Sequence, residues 1–124
     1  MNASQHIDRK TIAWIKVEVE QTLNAIHDFP SQYLENPDDI TPIRSCLEPL
    51  HRVKGALEIA NIRGAVLLTS EMEVLIQALC NHKIKNIKDA TEVLASCMLQ
   101  LPGYLESLYY GQTDIPLILL PQLN

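Results

Sequence analysis

His51 stands three residues before Lys54 and four before Gly55, and on a helix those spacings put the three side-chain positions on one face. A neutral imidazole offers a nucleophilic nitrogen, and a lysine one turn on can hold an anion that the ring has accepted. A glycine inside a helix costs about 1 kcal/mol relative to alanine, so its placement beside a histidine points to close approach by another molecule. Taken singly, an exposed histidine is usually a solvated side chain and a lysine a solubilising charge. The combination carries the chemistry. His6, His27 and His82 have no partner at metal-ligand spacing, and no metal is expected. Cys46, Cys80 and Cys97 are odd in number, far apart and set in apolar stretches. They read as small, reduced core residues of a cytoplasmic protein rather than disulfide partners or metal ligands.

The element that carries His51 must turn it outward. Thr41 can cap a helix with Pro42 at its first position, and the stripe Ile43, Cys46, Leu50, Val53, Leu57 and Ala60 predicts that this helix covers residues 41–60. At about 100° per residue, His51 lies about 130° from the centre of the stripe and faces solvent. Arg44, Glu48 and Gly55 share nearly the same bearing. With the charged neighbours Arg52 and Glu58, they are the candidate partner-binding residues.

Three further helices are expected. Residues 9–28 place Ile12, Ile15, Val19, Leu23 and Ile26 on one face, and Phe29-Pro30 ends that helix before a loop through Asn36-Pro37-Asp38-Asp39. Asn61 forms a tight junction, since asparagine tolerates left-handed backbone angles. Residues 62–80 then turn Ala65, Leu68, Met72, Leu75 and Leu79 inward. After a polar connection at 81–87, residues 88–110 line up Ala90, Leu94, Cys97, Leu101, Leu105 and Leu108, with Gly111 placed to end the helix. Short connections favour antiparallel neighbours, so the expected fold is all-α, an up-down antiparallel four-helix bundle over residues 1–112. Pro49 and Pro102 should kink the second and fourth helices or divide them. Residues 113–124 contain Pro116 and Pro121 and are expected to form an extended tail or linker. Trp14 and Tyr104 read as packing residues, or, if exposed, as aromatics that contribute to a partner surface.

A chain of 124 residues suits one core, and a content of 47% hydrophobic but 5% aromatic residues, rich in leucine and alanine, favours helix. A formal charge of -5 repels a phosphate backbone, so nucleic acid is not an expected partner. The first ten residues are polar and contain no signal-peptide core. The longest apolar run, Leu117-Ile118-Leu119-Leu120, falls far short of the about 20 residues that cross a bilayer, so no direct membrane insertion is expected.

The string His51-Arg52-Val53-Lys54-Gly55 resembles the phosphoacceptor motif of histidine phosphotransfer (HPt) domains. The likeness continues without a gap to Leu75, with Glu71-Met72-Glu73 falling where the amino-terminal phosphotransfer domain of CheA-type kinases has an acidic residue on the neighbouring helix. It is most similar to the modules at the amino-terminal end of the large CheA-like kinases of type IV pilus (twitching motility) chemosensory systems. Four segments carry that likeness: Thr11-Ile12-Ala13-Trp14-Ile15-Lys16-Val17-Glu18; Gly64-Ala65-Val66-Leu67-Leu68; Leu101-Pro102-Gly103-Tyr104-Leu105; and Asp114-Ile115-Pro116.

The resemblance implies a phosphocarrier in a two-component phosphorelay. His51 would accept the phosphoryl group on Nε2 from ATP bound to the kinase core and pass it to an aspartate of a response-regulator receiver. Lys54 would stabilise phosphate charge, Gly55 would clear the docking surface, and Glu73, or Glu71 in a shifted register, would hold the His51 tautomer. The sequence departs from the family at Asn61, where CheA-type domains often have glycine, and at Ala56-Leu57, which replace smaller residues. With no glycine-rich nucleotide loop, no cofactor is expected and the chain is not expected to be an enzyme in itself. The alternative is a phosphotransfer-like scaffold that docks signalling partners without being phosphorylated. A helical dimerisation domain ranks below both, since the apolar stripes account for one internal core.

Overall fold

Residues 8–111 are described by a computed structural model, and they form helices without any strand. The tail at 113–124, its boundary and His6 lie outside these residues. Helix α1, Arg9–Ile26, buries Ile12, Ile15, Val19, Leu23 and Ile26, the whole of the expected stripe. Asp8 caps it by accepting the Lys10 N–H at 3.3 Å.

The segment after α1 is more ordered than its turn-rich composition suggests. Phe29-Pro30 does end α1, but it also opens a short helix, α2 (Phe29–Glu35), because the fixed φ and missing N–H of proline suit a first turn. Tyr33 anchors α2 in the core at 1% exposure.

The expected continuous helix at 41–60 is divided into α3 (Thr41–Arg44) and α4 (Leu47–Ile59). The break falls at Ser45-Cys46, upstream of the Pro49 kink site. Pro49 has no N–H to give the Ser45 carbonyl, and its ring would strike that carbonyl in an unbroken helix. Restarting at Leu47 puts Pro49 in the first turn of α4, where backbone N–H groups have no intrahelical partner. The cap also differs from expectation. Thr41 lies inside α3, and its N–H donates to Asp39 Oδ1 at 3.0 Å.

Helices α5 (Arg63–Cys80) and α6 (Ile87–Tyr109) follow, and α6 runs unbroken across Pro102. Asn61 joins α4 to α5 in the left-handed region, at φ 60°. There the Ile62 N–H donates to the Leu57 carbonyl and the Asn61 N–H to the Glu58 carbonyl, both at 3.0 Å, closing the end of α4. His82, at φ 57°, repeats this arrangement after α5, with Lys83 N–H on the Ala78 carbonyl at 2.9 Å. Gly111, at φ 92°, ends α6.

The four long helices pack in a ring, α1 on α4, α4 on α5, α5 on α6 and α6 on α1; α2 packs on α3 and α6, and α3 on α5. They enclose one core that includes Ile43, Cys46, Leu57, Ile76, Leu94 and Leu101. Tyr104 packs partly buried against it, whereas Trp14 is 59% exposed and is not the packing residue expected. It lies about 140° from the centre of the buried stripe of α1, on the outward side of that helix. Among the described residues, no helix is long and apolar enough to cross a membrane.

Candidate functional site

Helix α4 is held in rotation by Leu50, Val53 and Leu57, which are 0%, 5% and 0% exposed. Removing about 25 cal/mol of unfavourable hydration per Å² of apolar surface makes that orientation hard to change. It turns His51 outward, with 77% of its side chain exposed. Met72 and Ile76 fix α5 in the same manner, at 1% and 0% exposure. Glu73 therefore stands at the seam between α4 and α5, its side chain 14% exposed.

One carboxylate joins the predicted residues. Glu73 Oε2 lies 3.2 Å from His51 Nδ1, and Lys54 Nζ donates to Glu73 Oε1 at 3.4 Å. An ionised carboxylate can only accept, so the neutral ring that bonds it carries its proton on Nδ1. The lone pair is then on Nε2 of a ring whose side chain is largely exposed. Lys54 and the imidazole N–H both donate to the Glu73 carboxylate at this seam. Glu71, the other candidate, is exposed, and its charge acts on Cys97 of α6.

Gly55 is half-buried beside this pair, and a Cβ built on it would meet no atom within 4 Å. Nothing inside the fold requires glycine there. Glu48 and Arg52, one turn before His51 and beside it, form an exposed ion pair at 3.0 Å. Glu58 is exposed further along α4, near Arg63 and Leu67 of α5. Arg44 is exposed but belongs to α3, where its charge is felt by Cys80 at the end of α5. The candidate partner-binding residues thus cover α4 and spill onto α3.

The cysteines offer no competing nucleophile at the surface. Cys46 and Cys97 are buried, and burial pushes their thiols up to about 12 and about 11. Cys80 is partly buried and also raised by burial. Among the described residues, no group of histidine, cysteine and acidic side chains is placed to hold a metal ion. One surface feature went unread in the sequence: Trp14 of α1 and Ile59 of α4 share an apolar groove. Ile59 is four residues beyond Gly55 and so on its outward face, which was the available signal.

Comparison of the chain with family models, with curated proteins and with solved structures found no match.

Proposed function

We propose that this chain is a phosphocarrier of the histidine phosphotransfer type. The observation that carries the reading is the Glu73 carboxylate on His51 Nδ1, which leaves Nε2 of an exposed imidazole as the nucleophile. The four long helices and the short connections at 60–62 and 81–86 support an up-down antiparallel bundle of that class.

In the forward step, the Nε2 lone pair attacks the γ-phosphorus of ATP held by a kinase core, the new N–P bond forms, and the bond to the ADP oxygen breaks. The ring keeps its Nδ1 proton and becomes cationic, so the Glu73 carboxylate stabilises the product more than the starting imidazole. Lys54, within the same cluster, lies one turn from His51 and offers its ammonium to the phosphoryl oxygens. In the second step, a receiver aspartate attacks the phosphorus, the N–P bond breaks, and the electron pair returns to Nε2. Gly55 keeps side-chain bulk away from both partners. The sequence segments that resemble pilus chemosensory kinases support, as partners in this reading, the ATP-binding core of a CheA-like kinase and response-regulator receivers, acting in the cytoplasm.

The test is to incubate the domain and a His51→Gln variant with ATP and the catalytic core of a CheA-like pilus kinase and to read acid-labile phosphate by intact mass. Labelling of the parent that disappears in His51→Gln is the expected result. An unlabelled parent beside a demonstrably active cognate kinase would replace this reading with the scaffold one.

A further inference from the structure

The His51 chemistry makes no use of the groove between α1 and α4. Trp14 is 59% exposed and Ile59 90% exposed, and with Ala56, Ala60, Asp8 and Thr11 they line a space of about 420 Å³. An indole and an isoleucine left in water on one concave surface favour a cover of apolar chain.

The chain supplies such a segment at the same end of the molecule. The last turn of α6 is tied to the first turn of α1: Arg9 Nε donates to the Tyr109 carbonyl at 3.0 Å, and its guanidinium lies 4.8 Å from the centre of the Tyr109 ring. Asp8, the neighbour of Arg9, lines the groove. The chain thus leaves α6 at the end that packs on the first turn of α1, and the sequence 112–124 that follows carries Ile115, Leu117, Ile118, Leu119 and Leu120 with a single charge, Asp114. From Gly111 to Leu117, an extended chain covers about 20 Å, roughly twice the 8–10 Å between packed helix axes. Pro116 and Pro121 frame the aliphatic run and disfavour helix, and in an extended chain Leu117 and Leu119 share one side.

We infer that residues 114–121 dock in the groove as an extended apolar strap against Trp14 and Ile59 of the same molecule. The covalent link gives the tail a high effective concentration at this site, which favours it over a second copy. The inference stands apart from whether His51 is phosphorylated. Because Ala56 and Ile59 belong to α4 and Ala60 directly follows it, on the phosphocarrier reading the strap borders the face that a partner approaches.

Trp14 is the single tryptophan, so its fluorescence reports on this groove. Acrylamide quenching would be compared in the full chain, in Leu117→Ser/Leu119→Ser, and in Ile59→Ser, with helix content checked by circular dichroism. The tail variant changes none of the described core residues, and Ile59 is too exposed for its loss to disturb the core. In each variant the quenching constant is expected to roughly double as the indole loses its cover, and in the full chain quenching should not depend on protein concentration. Equal quenching in all three proteins would overturn the strap. Shielding that grows with protein concentration would also overturn it, by putting a second copy in the groove.

Discussion

Glu73 serves two donors with one carboxylate, and this determines what single substitutions should do. A hydrogen bond to a charged group contributes about 1.5–3 kcal/mol, and here the bond strengthens as the ring becomes cationic. Glu73→Ala is therefore expected to slow phosphorylation of His51 by roughly ten- to hundredfold, measured as the initial rate of labelling by a kinase core. A rate unchanged from the parent would remove Glu73 from the mechanism. Gly55→Ala separates stability from recognition. With no atom within 4 Å of the added methyl, the variant should be about 0.5–1 kcal/mol more stable in thermal or urea unfolding. On the proposed function it should nevertheless transfer phosphate more slowly, because the methyl would stand on the face that a partner approaches. His51, Lys54 and Gly55 were legible in the sequence because the apolar stripe sets the phase of α4. The choice between Glu71 and Glu73 was not, since those positions differ by about 200° on α5. Which one meets His51 depends on how Met72 and Ile76 seat α5 against α4, a tertiary matter.

At the level of elements, the long helices could be read from periodicity because each buries one stripe and exposes the rest. Helix α2 escaped that reading. At seven residues it is too short for a period to emerge, and the proline in its first turn resembles a loop signal. The division at Ser45-Cys46 follows from Pro49, yet the sequence pattern of 41–60 is continuous across it. Ile43 and Leu50 stay buried on the two sides of the break and Cys46 within it, so the stripe conceals it. The helix ends give a sharper contrast. Asparagine at 61 signals a left-handed position, whereas histidine at 82 does not, though both adopt it. His82→Gly should relieve that backbone cost and raise stability by about 1 kcal/mol, read as a higher urea midpoint with an unchanged slope. A lower midpoint would mean that the His82 side chain contributes more than its backbone costs.

For the whole molecule, one core couples the thiols to folding. The ordinary value for a cysteine thiol is 9.0, and burial raises Cys46 to about 12 and Cys97 to about 11 in the folded protein. Above about pH 9 the unfolded chain releases these protons while the native one retains them, so unfolding gains with each step in pH. The contribution is fully present below pH 9 and is lost as pH rises through the folded values. Tyr33, raised by burial, acts in the same direction. The urea midpoint should therefore fall between about pH 9 and about pH 12, and fall less steeply in Cys46→Ala/Cys97→Ala. Equal slopes in the two proteins would detach the thiols from the effect. The same core orients α4 and α5, and through them the imidazole and its carboxylate. The most direct test of that arrangement is to locate the phosphoryl group by NMR in the kinase-labelled domain. The account predicts a single phosphohistidine, His51, bonded through Nε2 with the Nδ1 proton retained; attachment at Nδ1, or at any other residue, would contradict it.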